Sequence, residues 1–238
     1  MFAATRHRQL NRLNKLALFA LGLLAFKTFA AVLWEYRWYF PPDFESSAFL
    51  VGRKTSFVGP YRVAFYVHLV SGPVTLILTA VLVFTGSTMR GRRSLGRLHR
   101  AAGRWQVVVV LFALAPSGLI MSRQALAGPV AGVGFASLAI LTALYAAMAW
   151  RRAAQRRLSA HRHWALGCTV LLVSPLLLRI VGGVFVTLQI ESPWSYRINA
   201  WLSWLIPLFV YEAIGKGWND ELETTKRIHT VDSCIHTG

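Results

Sequence analysis

Residues 95–121 read LGRLHRAAGRWQVVVVLFALAPSGLIM, and this stretch decides the fold. Its first ten residues hold three arginines and a histidine; from Trp105 onward almost every residue is apolar. At 1.5 Å rise per residue, about 20 apolar residues match the roughly 30 Å hydrocarbon core of a bilayer. The run 105–121 is therefore a short but sufficient spanning helix, preceded by a basic segment at the membrane surface. Five further runs have the same character: 16–34, 63–84, 130–150, 164–188 and 198–214. The third and sixth runs contain Pro116 and Pro207, which a spanning helix tolerates where neighbours re-satisfy the freed carbonyls. The expectation is an all-α polytopic membrane protein, a bundle of six transmembrane helices.

Composition agrees: 55% of the 238 residues are hydrophobic and only 15% charged, so long apolar runs dominate the chain. A net charge of +17 invites a nucleic-acid reading, and its distribution rejects it. With the N-terminus inside and six alternating spans, the inner segments hold 18 Lys+Arg. The outer ones hold six: Arg37, Arg53, Lys54, Arg62, Arg123 and Arg197. That asymmetry follows the positive-inside rule for an N-in, C-in protein of the cytoplasmic (inner) membrane. Its basic loops would attract anionic lipid headgroups.

The chain divides into an N-terminal anchor helix with an external loop (1–62), a four-helix core (63–188), a sixth span (189–214) and a cytoplasmic tail (215–238). RHRQLNRLNK followed by LALFALGLLAF has the layout of a signal peptide. The apolar run continues past Lys27 and ends among Trp34, Tyr36, Trp38, Tyr39 and Phe40, which favours an uncleaved anchor. The external loop reads as turns with a short interfacial helix. The basic inner loops are expected to continue spans 3 and 5 as helix, with Ser94 as a cap. The tail from Gly215 lacks apolar periodicity and is expected to be poorly ordered. Cys168 and Cys234 lie at different levels and suggest neither a disulfide nor a metal motif.

Seven histidines carry the remaining chemistry. His7, His229 and His236 lie in polar ends and read as solvated residues. His68, His99 and His163 each have a glycine four residues later (Gly72, Gly103, Gly167). On a helix that spacing shares one face, so each imidazole would stand beside a gap fit for a flat cofactor or for close helix packing. His99, His161 and His163 gather at the inner interface beside Arg100, Arg104 and Arg162. Haem iron takes two neutral imidazoles, and arginines pair with its propionates. Interfacial histidines bound to carbonyls or lipid phosphate are the structural alternative. Glu212 is the one carboxylate at the same depth.

Toward the outer face, His68 in span 2 and Arg179 in span 5 each lie roughly 8 Å inside the membrane boundary. An arginine at that depth either snorkels or marks a functional site. With Ser117 and Ser174, these two define a candidate pocket for an anionic or carbonyl-bearing ligand such as a quinone head.

From about Tyr61 to Gly183, the segments YVHLVSGPVTLI, RSLGRLHRAAGRW and SAHRHWALGCTVLL resemble a bacterial family of multi-span membrane proteins, domain of unknown function 2306. The matching positions are His68, Gly72, Leu98, His99, Arg100, Gly103, Arg104, His161, Arg162, Trp164 and Arg179. The resemblance implies a topology and a set of marked residues, without an activity; spans 1 and 6 lie outside it. More distantly, histidines spread over central helices are similar to two-haem b-type transmembrane cytochromes. That likeness implies one inner haem on His99 with His161 or His163, since the outer face offers His68 alone. The expected function is membrane electron transfer through one haem b. A non-catalytic carrier or sensor of a small anionic ligand or lipid is the alternative. A metal-dependent hydrolase is disfavoured for want of carboxylates.

Overall fold

The computed structural model describes the backbone of residues 2–47, 49–88, 93–190 and 192–235; the side chains at 2–14, 17–18, 193 and 216–235 lie outside the described set. The side chains of His7, His229, His236 and Cys234 fall there. Among the described residues the chain is helical and contains no strand, only an isolated bridge between Tyr39 and Pro42. Six helices are long and apolar enough to cross a membrane, as the apolar runs require.

The chain forms two compact units, residues 1–58 and 59–238. The first consists of α1 (Phe2–Glu35), a single 3-10 turn (Tyr36–Trp38) and a loop. Arg37 lies over the rings of Trp34 and Trp38, at 4.3 and 4.6 Å, anchoring the aromatic end of the helix. In the loop, Asp43 Oδ1 accepts from the backbone N–H groups of Glu45 and Ser46, each at 2.9 Å. These donors hold the Asp43 carboxyl below its ordinary value.

The second unit holds α2 (Gly59–Thr88), α3 (Arg93–Val109), α4 (Ala115–Ser122), α5 (Pro129–Ala154), α6 (Leu158–Thr187) and α7 (Pro193–Ile235). A π-helical segment, Val110–Leu114, joins α3 to α4, so residues 93–122 form one continuous rod. Pro116 explains the irregularity: its ring cannot follow a regular α-helical turn, and a π-bulge absorbs the misfit. In α6 the same problem is solved by a side chain. Pro175 cannot donate to the Leu171 carbonyl, and the hydroxyl of fully buried Ser174 donates to it instead, at 2.7 Å.

As expected, the basic loops continue as helix: α3 begins at Arg93 and α6 at Leu158. Ser94 lies inside the first turn of α3 rather than flanking it. The backbone of the tail stays helical through Ile235, because no proline interrupts the sequence after Pro207 and residues such as Glu221, Glu223, Lys226 and Arg227 are good helix formers.

α2, the α3–α4 rod, α5 and α6 close into a ring of four in that order, each packing on its two neighbours. The diagonal pairs, α3 with α6 and α2 with α5, make no direct packing contact among the described residues. α7 packs outside the ring against α5 and α6. Arg197 Nε donates to the Ala127 carbonyl at 2.9 Å and Trp201 Nε1 to that of Val130 at 3.0 Å, fixing the start of α7 to the α4–α5 turn. That turn ends at Gly128, whose φ of 83° favours glycine. Large apolar side chains such as Phe112, 78% exposed, cover the outer surface, as lipid contact demands. The buried cluster comprises residues such as Val110, Tyr145, Leu171, Leu172 and Trp204.

Candidate functional site

The connection 155–157 and the adjoining ends of α2, α3, α5 and α6 form the basic end of the ring. Two imidazoles meet there. His161 Nδ1 lies 2.8 Å from the Ala149 carbonyl oxygen on α5. A carbonyl only accepts, so Nδ1 carries a proton. His99 Nδ1 lies 2.9 Å from Thr85 Oγ1 on α2. The Thr85 hydroxyl donates to the Val81 carbonyl at 2.7 Å, so its oxygen accepts from His99, and the Leu82 carbonyl lies within hydrogen-bonding reach of the same imidazole.

His99 stands on α3 and His161 on α6, across one diagonal of the ring, while their anchors stand on α2 and α5, across the other. The two imidazoles are within electrostatic reach of one another. Arg100 and Arg104 are exposed on α3, and the Arg100 guanidinium folds back over Gly96.

His163 is not part of this pair. Its Nε2 lies 3.4 Å from Glu212 Oε1, and its Nδ1 lies 3.3 Å from the Tyr211 hydroxyl, both on α7. The Tyr211 proton goes to the His163 carbonyl at 2.8 Å, so the phenol oxygen faces Nδ1 as an acceptor. Both ring nitrogens of His163 are thus engaged. Tyr145 on α5 completes the cluster by donating to Glu212 Oε1 at 2.7 Å. Neither tyrosine stood out in the sequence, because each is an isolated aromatic on an apolar helix.

Toward the opposite end of the ring, His68 Nδ1 lies 3.1 Å from Oγ of Ser117, which is 3% exposed. Ser117 donates to the Leu114 carbonyl, the last of the π segment, at 3.0 Å, so it accepts from His68. Arg179 is exposed on α6 and within electrostatic reach of His68. Asn199 on α7 donates to the Leu178 carbonyl at 2.8 Å, holding the turn that bears Arg179. Ser174 is fully buried, with its hydroxyl engaged on its own helix.

The glycine spacing has a different basis from the one expected. Gly72 faces open space, Gly103 faces Leu82, and Gly167 accommodates the Tyr145 ring. The histidines do lie against glycines, but not their i+4 neighbours. A Cβ on Gly86 would stand 3.6 Å from His99, one on Gly118 3.5 Å from His68, and one on Gly215 3.9 Å from His163. Glycine here permits close helix approach, and imidazoles fill the space.

Among the described residues no group of three or more His, Cys, Asp or Glu is placed to hold a metal ion. Fold and polar groups together define a multi-pass α-helical membrane protein with two imidazoles on opposed helices of a four-helix ring. The chain belongs to the family described as "Predicted membrane protein (DUF2306)", which matches residues 65–214. The match runs through the sixth span, further than the resemblance read from the sequence. No curated protein and no solved structure matches the chain.

Proposed function

We propose that this protein is a membrane electron carrier holding one haem b between His99 and His161. One observation carries the reading: two imidazoles on diagonally opposed helices, each with Nδ1 at hydrogen-bond distance from a protein oxygen. Metal-bound histidine characteristically donates its other ring N–H to a carbonyl or similar acceptor, which sets tautomer and ring orientation. Helix bundles build cofactor sites from side chains on facing helices. When bound, the haem supplies a one-electron couple. The protein's part is to present both Nε2 atoms to the iron, and to offer Arg100 and Arg104 to the propionates. His163, engaged on both nitrogens, stays outside the ligand set.

In the same reading the basic end faces the cytoplasm, the chain is N-in and C-in, and the membrane is the inner one. The arginines of that end then meet anionic headgroups. The test is a reduced-minus-oxidised visible spectrum of protein purified with ample haem supply. A b-type signal lost in both His99→Ala and His161→Ala, and kept in His163→Gln, is the expected result. A folded protein with a flat spectrum would overturn it.

A second reading draws on the opposite end, where His68, with Nδ1 held by Ser117, lies within reach of the Arg179 charge. That pair suits a quinone head or a small anionic ligand. In a haem-free protein it would make the chain a non-catalytic carrier or sensor. Binding of such a ligand, lost in Arg179→Gln while the spectrum stays flat, would select it.

A further inference from the structure

Lipid asks for no polar side chains inside a bundle, yet α2 buries a series of them. Ser71, Thr75 and Thr79 recur every four residues on one face, with His68 three residues before Ser71. At helical rise these positions are about 4.5 to 6 Å apart. A single water hydrogen-bonded to two oxygens spans roughly 5.5 Å. Thr85, six residues and about 9 Å beyond Thr79, turns to a different face and lies outside the series.

Most of these hydroxyls have an ordinary explanation, since Ser71, Thr75 and Thr85 donate to carbonyls of their own helix at 3.4, 2.8 and 2.7 Å. Thr79 breaks the pattern. It donates to no carbonyl; instead its oxygen lies 3.0 Å from Gln106 Nε2 on the neighbouring α3. Gln106 is 5% exposed, and its Oε1 has no hydrogen-bond partner. An open hydroxyl donor and an open amide acceptor therefore stand side by side, deep in the bundle. Exchanging the amide oxygen and nitrogen leaves one end of the amide unmatched all the same.

We infer that Thr79 and Gln106 bind water inside the ring, and that the polar file His68–Ser71–Thr75–Thr79/Gln106 passes protons along the bundle axis. The file does not depend on whether His99 and His161 hold haem. Its ligands are water and the proton, and its narrowest point is the Thr79–Gln106 contact.

The experiment uses full-length protein in potassium-clamped liposomes with an entrapped pH dye, following the decay of an imposed pH step. Wild type should relax the step several-fold faster than protein-free liposomes. Gln106→Leu and Thr79→Val should fall to the protein-free rate, while Thr169→Val, away from the file, keeps the wild-type rate. Should Gln106→Leu fail to fold, the pair at position 79 decides: Thr79→Ser retains the hydroxyl and must conduct, whereas Thr79→Val must not. Wild type no faster than empty liposomes, or Thr79→Val as fast as wild type, would overturn the inference.

Discussion

Thr85→Val tests the proposed haem site through the anchoring of His99. Valine keeps the shape of a fully buried threonine but offers no acceptor to His99 Nδ1–H, now 2.9 Å from Oγ1. The lost donation to Val81 matters little, since that carbonyl is also an acceptor within the helix. The imidazole N–H then loses its 2.9 Å acceptor in a half-buried site, with the Leu82 carbonyl still within reach, at a cost of about 1–1.5 kcal/mol. Since each 1.4 kcal/mol is tenfold in affinity, haem binding should weaken by roughly tenfold. Loss of a partner behind a metal-bound histidine has effects of about 10- to 100-fold, and this one falls at the low end. The assay is spectrophotometric titration of purified apoprotein with haem, comparing wild type, Thr85→Val and Thr85→Ser. Serine keeps the hydroxyl and should bind nearly as wild type does. Equal affinity in Thr85→Val and wild type would refute the assignment of Thr85 as the anchor of an iron ligand.

Other consequences concern the packing that surrounds the site. Gly167→Ala would drive a methyl group into the Tyr145 ring, an overpacking cost of about 1–3 kcal/mol, seen as a lower thermal midpoint in detergent. Adding Tyr145→Ala should relieve that overlap, so the double variant must lose less than the sum of the singles. Tyr145→Phe removes the 2.7 Å bond to Glu212 and should cost about 1.5 kcal/mol, near the low end for a charged acceptor because Glu212 stays 30% accessible. Gly118→Ala should be tolerated, its methyl in ordinary contact with His68 at 3.5 Å, whereas Gly118→Leu should displace the ring and weaken any ligand held there. In the first unit, the Asp43 carboxyl is held low by its two backbone donors. Its contribution to the turn is present above the ordinary aspartate value and lost as pH falls through the lowered one. Asp43→Ala should show no such acid-side change in amide exchange at Glu45 and Ser46.

The spans were legible because apolar length is a one-dimensional property: 105–121 crosses a bilayer whatever its neighbours are. The pairing of side chains was not, because it belongs to helix crossings. The spacing of His99 and Gly103 examines one helix face, while the gap His99 fills is made by Gly86 on another helix. Ser174 was grouped with the His68 and Arg179 pocket, and its hydroxyl donates to the Leu171 carbonyl beside Pro175. Thr79 and Gln106 gave no signal, since a lone threonine and a lone glutamine are uninformative until α2 lies beside α3.

The choice between His161 and His163 shows where sequence reading ends. Two residues apart on one helix, they differ by about 200° in direction, so only one can look into the ring. Composition around them is the same arginine-rich surface, and nothing local distinguishes them. Their partners do. His163 meets an acid and a phenol on α7, outside the ring, and both of its nitrogens are taken. His161 meets a backbone carbonyl of α5, which fixes one nitrogen. Its counterpart His99 is fixed in the same way from α2, so imidazoles occupy one diagonal of the ring and anchors the other. All four helices must be in place before both rings are oriented. A surface pair binding headgroups would need no such arrangement, and this is why the haem reading is preferred to interfacial histidines.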